Sequence, residues 1–153
     1  MNILVVGCGR TGVAFSQLMF ASGHRVTIIE HNKDSLERLS PSFGGQIIVG
    51  NGMDRDTLER ARIREVDLFA ALTEGDNRNL MAAQIAREVY NIPKVVAKVN
   101  DPVRAQVFRQ HHGIYTICYG LIGAHMMRAF ALDAAAGTAD DCNQLPRELT
   151  EED

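Results

Sequence analysis

The chain has 153 residues, 46% of them hydrophobic and 23% charged, with a formal net charge of −3. At roughly 100–200 residues per domain this length excludes most two-domain enzymes, and the composition excludes a disordered or fibrous protein. No run approaches the ~18–20 apolar residues of a membrane span, and the chain enters Ile3-Leu4-Val5-Val6 without a charged leader, so a soluble, cytoplasmic protein is expected.

The charge is unevenly spread. Residues 138–153 hold Asp140, Asp141, Glu148, Glu151, Glu152 and Asp153 against Arg147 alone, which leaves 15 basic and 13 acidic residues in 1–137. A body so close to neutral carries no electrostatic footprint for nucleic acid, so none is expected as a partner. Cys8, Cys118 and Cys142 form neither an even disulfide framework nor a metal-ligand spacing. A reducing compartment and no metal site follow.

From the first residues onward, short apolar runs alternate with helical patterns, the signature of βαβ units building a parallel sheet. The predicted strands are Asn2–Val6, Arg25–Glu30, Gln46–Val49, Asp67–Leu72, Val95–Val99 and Ile114–Cys118. Their nearly continuous aliphatic character fits strands covered on both faces. Helix starts are marked by Asn32, Asp54, Asp76 and the pair Asp101-Pro102. In the segment after Asp76, Met81, Ile85 and Val89 recur at i, i+4 and i+8 and are expected to face the sheet. The last helical segment, from Gly120 to Gly137, spreads Leu121, Ile122, Met126, Met127, Phe130 and Leu132 over more than one face. It reads either as a well-packed terminal helix or as one that binds a partner. Beyond Gly137 the acidic residues and Pro146 read as a flexible tail or linker.

The strongest motif is Gly7-Cys8-Gly9-Arg10-Thr11-Gly12, set directly between the first strand and the first helix. Gly7 permits the tight turn, Gly9 lets backbone approach a pyrophosphate, and Gly12 allows close packing of helix on strand. Free N–H groups at the helix start would then hold phosphates. Glu30 ends the second strand, 18 residues beyond Gly12, where an acidic side chain reads ribose hydroxyls and disfavours the 2′-phosphate of NADP. Arg10 either neutralises phosphate charge or is a solvated loop arginine. Cys8 is most simply a small residue that fits the turn.

Gly50, Asn51, Gly52, Met53 and Asp54 follow the third strand at the edge where open α/β sheets bind ligands. Small residues there leave room for an adenine ring whose edge Asn51 or Asp54 could recognise, although Asp54 serves equally as a helix cap. Thr73 and Glu74 after the fourth strand, and Lys98 and Asn100 at the end of the fifth, face the same edge or serve as turn residues.

With these residues in hand, the chain resembles the regulator-of-potassium-conductance family, specifically the N-terminal nucleotide-binding domain of Trk and Ktr potassium-uptake regulators. The resemblance rests on VVGCGRTG, VTIIE, the stretch from Ile48 to Arg87, and VVAKVNDP, and extends over about residues 1–135. It implies a Rossmann-like doubly wound six-stranded parallel sheet with a C-terminal crossover helix, comprising a nucleotide-binding domain over 1–136 followed by an acidic tail over 137–153. It further implies a regulatory subunit that is not an enzyme, binding NAD(H) or ATP/ADP as a gating switch for a membrane potassium transporter or channel. Such a subunit lies at the inner face of the cell membrane through its partner and forms homo-oligomers, dimers or rings, through the helix at about Leu121–Ala135. Phosphate contacts would fall on Gly7, Gly9, Arg10, Thr11 and Gly12, ribose contacts on Glu30, and adenine contacts on Asn51, Gly52, Met53 and Asp54. Asn51 stands where the family usually has aspartate, and the family's usual second sensing domain would begin where the acidic tail lies. The alternative is an NAD-dependent oxidoreductase fragment or subunit whose substrate domain sits on another chain. Hydride transfer needs an acid or base near the nicotinamide, and His24, His31, His111, His112 and His125 form no catalytic constellation in the sequence.

Overall fold

The β-branched and aliphatic runs form six parallel strands, in a computed structural model that describes residues 1–144. They are β1 (Asn2–Val6), β2 (Arg25–Glu30), β3 (Gln46–Val49), β4 (Leu68–Ala71), β5 (Lys94–Lys98) and β6 (Tyr115–Ile117). The spatial order is β3-β2-β1-β4-β5-β6, so the direction of winding reverses between β1 and β4. Ile3 of β1 stands level with Val26 of β2 and Leu68 of β4, which puts the carboxyl ends of the three central strands on one edge. A reversal of this kind opens a crevice at that edge, the usual ligand site of doubly wound sheets.

Alternate residues of each strand feed two cores. Ile3, Val5, Val26 and Ile28 pack with Val13, Phe15, Met19 and Phe20 of α1 (Arg10–Ala21). On the other face, Leu4, Val6, Ile29, Phe69 and Val95 meet Leu58 of α2 (Arg55–Arg60) and Leu80, Ala82 and Ala83 of α3 (Asp76–Gln84). Ala105 of α4 (Pro102–His112) and Leu121 of α5 (Tyr119–Ala131) join the same cluster. Asn32, Asp54 and Asp101 cap as the sequence indicates, accepting the N–H groups of Asp34, Thr57 and Arg104. The segment that Asn32 caps, Lys33–Arg38, is wound as a 3₁₀ helix.

Three expectations are corrected. Asp76 does not cap the helix it opens: Gly75 holds the cap position, and the Asp76 carboxylate accepts from the Asn100 and Asp101 N–H groups at 2.9 and 3.0 Å. Met81 and Val89 do not face the sheet but are exposed, while Asn79, Leu80, Ala82, Ala83 and Ala86 are buried. Small alanines let the helix approach the sheet closely, which the larger stripe would prevent. Ile85–Val89 then continue as a single π-helical turn, a form that interrupts regular helix periodicity.

The third correction concerns the start of the acidic segment. Residues 138–143 are docked, with α6 (Ala139–Cys142) closed by a reciprocal cap between Thr138 and Asp141. Cys142 and Asn143 are each 2% exposed. Asn143 Oδ1 accepts the Cys118 N–H at 2.9 Å, its Nδ2 donates to the Thr116 carbonyl at 2.6 Å, and its own carbonyl accepts from Arg109 at 3.0 Å. Residues 145–153 of the expected tail lie outside the described residues. No helix among the described residues is long and apolar enough to cross a membrane.

Candidate nucleotide-binding site

The glycine loop leaves β1 at the winding reversal, and each of its glycines has a different local reason. Gly7 has φ +107°, and a Cβ there would lie 2.9 Å from the Leu72 carbonyl carbon and the Thr73 nitrogen. A Cβ on Gly12 would stand 1.9 Å from the Gly7 carbonyl oxygen. These two positions let the β1–α1 turn nest against the β4–α3 turn. Gly9 has nothing within 4 Å of its absent Cβ, so here the backbone is open to approach from outside. Gly9 is also the N-cap of α1, which has neither a side-chain cap nor an acidic residue in its first turn. The N–H groups of Arg10, Thr11 and Gly12 therefore begin the helix without intrahelical partners, the arrangement that favours an anion.

Beside this loop, a cleft of about 250 Å³ is lined by Gly50, Asn51, Gly52 and Met53 together with Thr73, Arg78 and Ala82. Glu30, His31 and Gly7 also line it. The place of Gly52 is fixed by Val6, whose Cγ1 would lie 2.2 Å from a Cβ on Gly52. A larger hollow of about 380 Å³ lies at the opposite, amino edge among Phe20, His24, Arg25 and Arg62. The fingerprint glycines sit at the other end of β1, so the smaller cleft is the candidate site.

Glu30 is 6% exposed and ties the two loops that flank the cleft. Its Oε2 accepts the Cys8 N–H at 2.6 Å and its Oε1 accepts the Asn32 N–H at 2.8 Å, with His31 Nδ1 also 2.8 Å from Oε1. Burial opposes ionisation, but the backbone donors of Asn32 and Cys8 and the neighbouring His31 outweigh it and hold the carboxyl below its usual range. The group is thus an anchored carboxylate with one acceptor site left for a hydroxyl donor. Burial, and then the Glu30 charge, push the Cys8 thiol up, so Cys8 acts by size and not as a thiolate.

Gly7, Glu30, Asn51, Gly52, Met53 and Thr73 line the cleft, while Gly9, Arg10, Thr11 and Gly12 form the adjoining loop and helix start. Three expected residues are placed elsewhere. The Asp54 carboxylate is taken up by the Thr57 N–H and hydroxyl at 3.0 and 2.9 Å, which also lower its pKa. Asn100 is bound to Asp76 through both its N–H and its side chain. Lys98 offers its carbonyl to Asn79 at 2.8 Å and does not line the cleft.

His31, Arg78 and Ala82 line the cleft without having been singled out by motif. Asn79, 0% exposed, supports it from behind: its Oδ1 accepts from the Thr73 N–H and hydroxyl at 2.8 and 2.7 Å, and its Nδ2 donates to the Thr73 and Lys98 carbonyls. The one available signal was the polar cluster Asp76-Asn77-Arg78-Asn79 at the start of a helix that must bury a face. No cluster of three or more His, Cys, Asp or Glu side chains that could hold a metal occurs among the described residues.

Residues 3–120 match the model of the TrkA-N domain family. The chain belongs to the TrkA-N domain family. It is 44% identical over 117 residues to the Trk system potassium uptake protein TrkA of Streptomyces coelicolor, a match that covers 76% of this chain and 52% of that protein. This TrkA-N domain spans about half the length of the curated relatives it matches. Among solved structures, the AMP-bound C-terminal domain of Kef from Shewanella denitrificans superposes with a TM-score of 0.70 at 17% identity, covering 94% of this chain and 89% of that one. The NAD-bound GsuK channel superposes with a TM-score of 0.65 at 19% identity, covering 81% of this chain and 22% of the channel. At these identities the structural likeness establishes the shared fold.

Proposed function

We propose that this TrkA-N domain is the nucleotide-sensing part of a cytoplasmic regulatory subunit of a potassium-uptake transporter or channel, and that it catalyses no reaction. The observation that carries this reading is the cleft joined to an uncapped α1 start, with the anchored Glu30 carboxylate in the cleft lining. Gly9 and the first N–H groups of α1 would hold phosphate oxygens, with Arg10 adding charge. Glu30 would accept a ribose hydroxyl and repel a 2′-phosphate, which favours NAD(H) or ATP/ADP over NADP. A bound nucleotide would supply the negative charge that α1 lacks in its first turn. Relatives named for Trk potassium uptake, and structural neighbours bound to AMP and NAD, support the ligand class and the regulatory role.

A switch requires two ligands with unequal affinity for two assemblies, since equal affinity shifts no population. The element that would report to a second copy is α5, where Met126, Met127 and Phe130 are 55%, 73% and 89% exposed. Homodimers through this helix, and rings built from them, would place the domain at the inner face of the membrane beneath its transporter. Calorimetric titration with NAD, NADH, ATP, ADP and AMP tests the reading. Saturable binding of at least one, weakened by Glu30→Ala and Arg10→Ala, is expected; saturable binding of none would overturn it.

A further inference from the structure

Of the four polar residues that open α3, three are committed to the protein itself. Asp76 holds the backbone at Asn100 and Asp101, Asn77 accepts from Arg104 at 2.8 Å, and Asn79 joins Thr73 to Lys98. Arg78 has no side-chain hydrogen bond or ion pair among the described residues, although it lines the cleft. Its Nε lies 3.1 Å from the point that a Cβ on Gly75 would occupy, so the side chain folds over the carboxyl edge.

The company it keeps identifies what it meets. Arg78 and Ala82 line the same cleft as the Gly52–Met53 turn, whereas Gly9 and Arg10 do not line it. Its lining therefore includes a planar cation, a methyl group, bare backbone and a thioether. Such a lining suits a flat aromatic ring, and of the phosphate-loop residues only Gly7 touches it. We propose that Arg78 stacks on the nucleobase and sets affinity for the adenine ring, independently of how many phosphates the ligand carries. The inference rests on the adenine-nucleotide reading above. A guanidinium is planar and weakly hydrated and so stacks on an aromatic face, which an ammonium cannot do in the same way.

The test compares the unsubstituted chain with Arg78→Ala and Arg78→Lys by titration with AMP and ADP, and with ethenoadenosine monophosphate, whose fluorescence reports stacking. Arg78→Ala should weaken AMP and ADP by the same factor, about five- to thirtyfold. It should also remove the stacking-dependent fluorescence change, and Arg78→Lys should restore only part of the loss. Unchanged AMP affinity in Arg78→Ala, full recovery by lysine, or a loss several-fold larger for ADP than for AMP would overturn the inference, the last by assigning Arg78 to phosphate. If the unsubstituted chain binds none of NAD, NADH, ATP, ADP and AMP, the proposed function itself falls; if it binds NAD(H) alone, the Arg78 variants are compared with that ligand, and unchanged affinity in Arg78→Ala overturns the inference. If it binds AMP and ADP and Arg78→Ala changes nothing, only the role of Arg78 falls. Arg78 is exposed and holds no partner, so the melting temperature of the variants should match that of the parent.

Discussion

At the scale of single residues, the site depends on atoms that are missing as much as on those present. A Cβ on Gly12 would overlap the Gly7 carbonyl oxygen at 1.9 Å, and neither partner is a flexible side chain that could give way. Gly12→Ala should therefore lower stability by at least about 2 kcal/mol, read as a fall in the urea midpoint. Glu30 makes the opposite case, because its carboxylate is the group that holds the loop. Glu30→Gln keeps the shape but replaces an anion with a neutral amide before the Cys8 and Asn32 N–H groups. A loss of about 1–3 kcal/mol is expected in denaturant titration. Both positions were legible in the sequence because a fixed motif specifies them. Arg78 and Asn79 were not, because nothing in a one-dimensional pattern distinguishes a polar residue that lines a cleft from one that faces water.

At the scale of elements, all six strands were legible to within a residue or so at each end: the central ones, buried on both faces, read as apolar runs, and the edge strands β3 and β6 are short β-branched runs that remain partly exposed. Helix faces were harder. Of the stripe Met81-Ile85-Val89 only Ile85 packs on the core, and Asn79, Leu80 and three alanines fill the rest of the buried face. Asn79 is the residue to test here. Asn79→Leu would orphan the Thr73 N–H and leave the Lys98 carbonyl without its side-chain donor, at about 1–3 kcal/mol per buried group. Protection of the Thr73 amide against hydrogen exchange should fall with it. A preserved Thr73 protection factor would show that the β4–α3 turn stands without Asn79. For α5, Phe130→Glu should reduce the mass measured by light scattering if this helix joins two copies as proposed. An unchanged mass would exclude Phe130 from the contact.

At the scale of the whole molecule, titratable groups set the pH range of stability. Glu30 has a folded pKa below its unfolded value of about 4.3, so its contribution is complete above that value and is lost as pH falls through the folded pKa. Cys8 and Tyr115 are shifted upward, Cys8 mainly by burial and Tyr115 mainly by its hydrogen bond to Asp140. Both are acids that the unfolded chain ionises first. Stability should therefore also decline above about pH 8.5, where an unfolded thiol begins to ionise, and further near pH 10. The chain has three tyrosines and no tryptophan, so thermal unfolding followed by circular dichroism across pH 3–11 is the suitable measurement. A plateau with losses on both sides is expected, and a melting temperature that is flat below pH 4 would contradict the role given to Glu30.

The docked turn after α5 has a consequence for how the sheet ends. β6 is an outer strand, and Thr116 and Cys118 present a carbonyl and an N–H that no other strand takes up. The Asn143 carboxamide accepts from one and donates to the other, and so imitates a single peptide unit of a seventh strand. One side chain thereby stops a ladder that backbone from another molecule could otherwise extend, a hazard that exposed edges carry in general. Asn143→Leu should both lower the melting temperature and make the protein form larger, strand-paired aggregates that bind thioflavin T on prolonged incubation. With the β6 edge closed, β3 is left as the outer strand of the sheet at which, among the described residues, no side chain imitates a further strand in this way.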